Sequence, residues 1–280
     1  MVRPAAFRLA VGLVMKEFDL SLRRACRVLG FNRSSWHYQS RRVEPKGLVA
    51  RLRALASKRP RWGYRMLHLM LRREGHAVNH KRVYRLYKME GLAVRQKLRK
   101  RMAAIARTVL PAPSAPNERW SMDFVSDVTA TGRRFRIFAV VDDFTREVLT
   151  LVVDTSIGGL RVCRELALIA AVRGLPQLIV MDNGPEFTGK ALDAWAYQVG
   201  VKLHFIRPGK PVENAYVESF NGKLRNECLN QHWFLDLDDA RRIIEEWRID
   251  FNEVRPHSSL DGMTPKEYAA ANAGLTSQVA

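Results

Sequence analysis

The stretch between residues 120 and 206 changes its hydrophobic period, and that change restricts the fold more than any other feature of the chain. Three runs rich in β-branched and aromatic residues, 120–129, 134–141 and 147–154, follow one another with the turn signals Thr131-Gly132 and Asp142-Asp143 between them. Strands joined by turns this short form an antiparallel meander. The period then becomes helical. Helices are predicted over 160–173, 188–199, 214–228 and 238–251, with short buried strands at 177–181 and 202–206. Three strands followed by alternating helices and strands give an α/β fold, a mixed five-stranded sheet flanked by helices. With 47% hydrophobic residues among 280, such a core can be filled.

The other part of the chain is set apart by charge. Residues 1–110 hold 28 Lys and Arg against 5 Asp and Glu, whereas residues 111–280 hold 19 against 23. The formal net charge of +19 therefore originates in the first part, and segregation of this kind points to a polyanion, nucleic acid first. Two helix-turn-helix-like pieces are predicted there. Ser21 is a good N-cap for a helix carrying Leu22, Ala25, Cys26 and Leu29, and Gly30-Phe31-Asn32 turns into a second helix opening at Arg33. Residues 64–74 and 79–90 form a second amphipathic pair, stopped at Gly75 and Gly91, with Arg82, Arg85 and Lys88 spaced along the polar face as candidate DNA contacts.

A basic run from Lys97 to Arg101 gives way to Pro111, Pro113 and Pro116. The border is placed near residue 110, dividing a basic helical DNA-binding region, 1–110, from a second domain, 111–272. Cys26, Cys163 and Cys228 are far apart and form no CxxC pair, which fits a reducing cytosol better than a disulfide scaffold. His68, His76 and His80 have no cysteine nearby in sequence, so no structural zinc is expected. No apolar run approaches the roughly 18–20 residues of a membrane span. Neither a signal peptide nor a membrane partner is expected.

Three acids sit where chemistry would want them. Asp123 interrupts an apolar strand between Met122 and Phe124, Asp182 closes the strand before Asn183-Gly184, and Glu218 lies on a predicted helix. Carboxylates inside a core are costly unless they bind cations. Converging acids that share two hard cations, about 3.5–4 Å apart, can activate a nucleophile and stabilise a leaving oxygen in phosphoryl transfer. Asp142 and Asp143, after a strand and before Thr145, read instead as turn or cap residues. On the Glu218 helix, Asn214 and Arg225 fall within roughly 40° of the acid, and Lys223 points about 140° away.

The spacing gives these residues a family context. Fifty-eight residues separate Asp123 from Asp182, and thirty-five separate Asp182 from Glu218. With the flanking Asp182-Asn183-Gly184-Pro185-Glu186-Phe187 and the Ser-Phe-Asn-Gly-Lys-Leu-Arg run after Glu218, this resembles the DDE recombinases, the class that includes retroviral integrases. It is most similar to the second-reading-frame product of insertion-sequence transposases of the IS-three type. Trp62-Gly63-Tyr64-Arg65, Asn79 to Val83, Arg255 to Leu260 and Thr264 to Glu267 carry the resemblance across nearly the whole chain.

The resemblance implies a ribonuclease-H-like catalytic core that binds Mg²⁺ or Mn²⁺, two ions, on Asp123, Asp182 and Glu218. It implies 3′ strand cleavage and strand transfer on double-stranded DNA by a homo-oligomer in the bacterial cytoplasm, associated with the nucleoid. The active form is often a frameshift fusion with an upstream-frame product. A basic residue seven positions after the Glu is common in the family, which assigns Arg225 to DNA. Lys223, Asn214 and Lys210, the last in a Gly209-Lys210-Pro211 loop before the helix, are further DNA candidates. The alternatives are a DNA-binding regulator with a vestigial nuclease fold, which the intact acids oppose, and a hybrid-specific nuclease, which the basic helices oppose.

Overall fold

A computed structural model describes residues 4–38, 46–94, 110–207 and 214–275. Lys210, its loop and the basic run from Lys97 to Arg101 lie outside the described residues. The chain packs as two compact units, residues 1–49 and 50–280.

In the first unit, α1 (Pro4–Glu17), α2 (Leu22–Val28) and α3 (Arg33–His37) close around Val11, Ala25 and Cys26. Gly30 takes a left-handed φ of 61° in the turn between α2 and α3, a conformation open to glycine at no steric cost. Ser21 holds the N-cap position of α2 in extended backbone but makes no side-chain cap bond. The α1 helix was not among the predicted elements. Its Arg8 guanidinium donates to the Ser35 and Tyr38 carbonyls, 2.9 Å each, and so satisfies the end of α3.

The second unit begins with helical residues that the charge pattern had grouped with the first. After α4 (Lys46–Lys58) come α5 (Tyr64–Arg73) and α6 (His80–Met89). The apolar stripe of α5 and α6 buries Leu67, Leu71, Val83, Leu86 and Tyr87. Asn79 caps α6 by accepting from the Lys81 amide at 2.8 Å.

The sheet has the order β3-β2-β1-β4-β5. β1 (Arg119–Val128), β2 (Arg134–Asp142) and β3 (Val148–Asp154) form the expected meander, and β4 (Leu178–Met181) and β5 (Lys202–Phe205) join parallel to β1. α7 (Gly159–Arg173) and α8 (Lys190–Val199) cover one face, over Trp120, Met122, Phe138 and Val140. α9 (Ala215–Glu227) and α10 (Leu237–Glu253) cover the other, over Val125, Ile137, Ala139 and Val153. The alternation of strand side chains decides which face each residue meets. α11 (Pro265–Ala271) ends the described chain and starts with a capping box between Thr264 and Glu267.

The division at residues 49 and 50 differs from the composition border near 110, and the reason is electrostatic and apolar at once. Arg59 pairs with Asp250, Arg73 pairs with Glu267, and the indole of the buried Trp62 donates to Glu227 at 3.2 Å. Arg59 and Arg73, read as part of a separate basic surface, thus find acids on α10 and α11, and Trp62 reaches one on α9. Asp142, fully buried, caps its turn by accepting from the amides of Phe144 and Thr145 at 2.8 and 3.0 Å. Asp143 is no cap. It is buried against Arg119 at 2.5 Å and Ser121 at 2.9 Å, because the odd positions of β1 put both partners beside it. No helix among the described residues is long and apolar enough to cross a membrane.

Trp62→Ala is expected to destabilise the second unit by about 3–5 kcal/mol through the cavity and the lost Glu227 bond. Denaturant unfolding followed by far-UV circular dichroism measures it. An effect below about 1 kcal/mol would show that residues 50–94 are not part of that cooperative unit.

Candidate active site

The site arises where β1 continues beyond its neighbour. The parallel β1–β4 pairing runs Arg119↔Leu178, Trp120↔Ile179, Ser121↔Val180. Carried forward in the same register, it sets Asp123 level with Asp182, on strands about 4.8 Å apart. β4 ends at Met181, so Asp182 follows the last strand residue while Asp123 stands inside β1, opposite Ala139 of β2. Glu218 comes from the first turn of α9, which runs beside β1 in the same direction. Asn214 at its start donates to the Met122 carbonyl at 3.2 Å, and Arg225 further on donates to the Ser126 carbonyl at 2.9 Å.

Asp123 feels both of the other acids. Burial pushes the Asp123 carboxyl up to about 6. The Phe124 amide opposes this, the charges of Asp182 and Glu218 add to it, and the Asn221 amide opposes it. Glu218 is exposed, and partial burial raises its carboxyl as well. Repulsion among the acids is what a bound cation would relieve, and an all-oxygen donor set suits a hard divalent ion. The residues present therefore fit Mg²⁺ or Mn²⁺. Among the described residues no three His, Cys, Asp or Glu side chains are drawn tightly enough together to grip an ion. Asp123 Oδ1 instead accepts from the Phe124 amide at 2.7 Å, and Asp182 Oδ1 from the Gly184 amide at 2.9 Å.

Four residues of the loop after β4 shape it around Asp182. A Cβ on Gly184 would come within 3.0 Å of Asp182 Oδ1 and 3.3 Å of Glu186 Oε2, so a side chain there would push both carboxylates from their present positions. Asn183 ties the loop to the Ile206 carbonyl at 2.7 Å. Glu186 pairs with Arg136, which holds its carboxyl below the usual range, and the Arg136 guanidinium lies 4.1 Å over the Phe124 ring. Phe187 is fully buried and stacks on Phe124 at 5.2 Å.

Of the DNA candidates, Arg225 is exposed on the acid side of α9, as the helical arithmetic requires, although its guanidinium is engaged by Ser126. Asn214 is 2% exposed, and its amide donates to the Met122 carbonyl at the β1 edge. Lys223 is half-buried on another face of α9, 5.8 Å over the Phe251 ring and away from the acids. On α6, Arg82 and Lys88 are exposed and Arg85 is half-buried, since its neighbours Leu86 and Tyr87 face the core.

Asn221 escaped the sequence reading. Its amide donates to Asp123 Oδ2 at 2.7 Å. The signal was its place three residues after Glu218, which puts it on the same helical face. Glu186 and Arg136, which clamp the loop, were also missed, and nothing local in the sequence pairs them.

A mixed five-stranded sheet with acids at the free edge between β1 and β4 defines an integrase-type core with the ribonuclease-H-like fold. The Integrase core domain family matches residues 113–211 and again 199–265, and an HTH-like domain family matches residues 46–101. The 31.7 kDa protein of insertion element IS407 from Burkholderia multivorans is 51% identical over 92% of this chain and 93% of its own length. The 39.2 kDa protein of insertion element IS476 from Xanthomonas euvesicatoria is 46% identical over 95% of this chain and 78% of its own. Transposase InsD for insertion element IS2D from Escherichia coli is 26% identical over 82% and 80%. The fold is also similar to a chain of the simian T-cell lymphotropic virus intasome, with a TM-score of 0.51 and 15% identity over 82% of this chain and 76% of that one. The chain belongs to the insertion-element transposases with an integrase core, of the IS-three type.

Asp123 carries a folded-state value above its unfolded one, so the metal-free fold binds its proton more tightly than the unfolded chain and loses stability as pH rises from about 4 to 6. Asp123→Asn keeps an oxygen for the Phe124 amide and is expected to stabilise the metal-free protein by about 1–3 kcal/mol at pH 7, with little effect at pH 4. Thermal unfolding with chelator at the two pH values tests this. Equal effects at both would show that Asp123 is not held up by its surroundings.

Proposed function

We propose that this transposase cleaves the 3′ strand at the ends of its element and joins the freed 3′-OH to target DNA, with Asp123, Asp182 and Glu218 as the catalytic and ion-holding acids. The observation that carries the reading is the register that sets Asp123 level with Asp182, with the Glu218 charge reaching Asp123 from α9. Two Mg²⁺ or Mn²⁺ ions bound there would lower the pKa of the attacking hydroxyl and neutralise charge on the leaving oxygen.

The chain's own part is to position. Asn221 holds Asp123, the Arg136–Glu186 pair holds the Asp182 loop, and α9 carries Glu218 on a helix fixed to β1 at both ends. Water attacks a phosphorus at the element end, and the 3′ oxygen leaves with a proton. That 3′-OH then attacks a target phosphate. One phosphodiester replaces another, so no covalent protein intermediate and no energy source are needed.

Double-stranded DNA is held by the basic region 1–110, including Arg82, Arg85 and Lys88 of α6, by Arg225 on the helix that carries Glu218, and by Lys210. The working form is a homo-oligomer on the element ends in the bacterial cytoplasm, at the nucleoid, joined to or acting with an upstream-frame product.

Asp123→Asn, Asp182→Asn and Glu218→Gln are each expected to abolish metal-dependent cleavage and joining on an oligonucleotide duplex while gel-shift affinity stays within about two-fold. Asn221→Ala, which frees Asp123 without removing a ligand charge, should cost about 10–100-fold and respond to raised metal concentration. Retained strand transfer in any of the three acid variants overturns the assignment.

A further inference from the structure

α9 has a second polar face that the acids leave unused. Tyr216, Lys223 and Glu227 lie along it, and Lys223 stands about 140° round the helix from Glu218. Two guanidinium groups approach the Tyr216 ring, Arg119 at 5.1 Å and Arg146 at 3.9 Å from its centroid. One ring further along, Lys223 Nζ lies 5.8 Å and the Arg255 guanidinium 5.5 Å from the centroid of Phe251, and His257 meets the same ring edge-on at 4.7 Å. Arg255 and His257 belong to the Arg255-Pro256-His257 segment, to which the cleavage chemistry gives no task.

The charges in this cluster do not balance. Arg119 is paired with Asp143 at 2.5 Å, and Arg255 is paired twice with Glu227, at 2.8 and 2.6 Å. Neither Arg146 nor Lys223 forms an ion pair among the described residues, although the Arg146 charge acts on the buried Asp143, and both cations are half-buried. Lys223 is pushed down to about 8, first by burial and then by the charges of Arg255 and Arg146, against the pull of Glu227. Arg146 also occupies left-handed backbone, φ 63°, a conformation that is costly for a residue with a Cβ.

Hydrogen-bonding capacity is unfilled as well. Arg146 Nη1 and His257 Nε2 are buried without a partner, and His257 is 3% exposed while facing Arg255, Lys223 and Arg146. Adjacent like charges and unmet polar groups in a half-dry site both cost free energy, and an anion removes both costs.

The geometry points to a phosphate seat at Arg146 and Lys223, backed by His257, that takes a backbone phosphate of DNA crossing α9 on the side away from the acids. A guanidinium matches phosphate oxygens with two parallel donors and an ammonium adds a point charge. The identity of the polyanion, and nothing else, rests on the transposase reading.

The test uses the full chain and its Lys223→Gln, Arg146→Gln and Lys223→Arg variants, with circular dichroism confirming the fold. Duplex affinity is measured over a salt series, beside metal-dependent cleavage by the unaltered protein. Each Gln variant is expected to bind duplex about 3–10-fold more weakly near 0.1 M salt, with the log–log salt slope reduced by about 0.9, and Lys223→Arg to keep both. A second arm compares melting in sodium phosphate and sodium chloride at equal ionic strength. Phosphate should stabilise the unaltered protein more than either Gln variant.

Unchanged salt slopes in both Gln variants overturn the proposal. If phosphate still stabilises the unaltered chain, the seat takes free phosphate and not DNA. Loss of slope in Lys223→Arg as large as in Lys223→Gln also overturns it, because charge would not be the cause. Unchanged slopes with cleavage intact sink the seat alone, whereas altered slopes without cleavage sink the transposase reading alone.

Discussion

Everything at the site depends on β1 being longer than its parallel neighbour. β4 pairs with Arg119, Trp120 and Ser121 only, so from Met122 onward one edge of β1 has no strand beside it. Unpaired backbone groups in a half-buried setting must find other partners. Here side chains provide them. Asp123 accepts from the Phe124 amide, Asp127 from the Val128 amide at 2.8 Å, and Asn214 and Arg225 donate to the Met122 and Ser126 carbonyls. The missing strand thus fixes α9, the helix that carries Glu218, along the edge. The proposed chemistry sits at an interruption of regular structure, where carboxylates can meet polar partners without breaking a ladder.

The loop after β4 is tied to the same strand from the other side. Phe124 stacks on Phe187, Arg136 reaches across to Glu186, and Phe138 completes the aromatic contact at 6.2 Å from Phe187. An apolar anchor and one ion pair therefore set the position of Asp182, and Gly184 permits the close turn between them. Rigid support of this kind is what lets carboxylates of like charge remain near one another before a cation arrives.

Charge is used at two ranges in this molecule. The net of +19 favours DNA at a distance. At short range much of the basic character is spent internally. Arg59, Arg73, Arg119 and Arg255 each hold an acid within the second unit. Ion pairs at surface positions add little stability, but Arg255–Glu227 ties the segment after α10 to α9, and Arg119–Asp143 ties β1 to the turn after β2, both at buried points. Arg146 and Lys223 stand out because, among the described residues, neither closes an ion pair with the acids nearest them, Asp143 and Glu227.

The sequence by itself determined the meander, the order of later helices and strands, and the family to which the chain belongs, and it singled out the three acids proposed for the site. These are legible because period, turn residues and spacing are local properties of a chain. It also placed Arg225 on the face of Glu218, since helical geometry is regular. Tertiary structure alone decided the rest. Asn214, polar and next to the site, serves the β1 edge because an unpaired carbonyl lies opposite it. Lys223 turns to Phe251 because α10 packs there. Asn221 and Glu186 acquire their tasks from Asp123 and Arg136, which are 98 and 50 residues away in sequence. The composition border near residue 110 does not coincide with the division of the chain into compact units, because basic helices and acidic helices distant in sequence attract. Which side chains meet depends on packing between elements, and no local pattern carries that information.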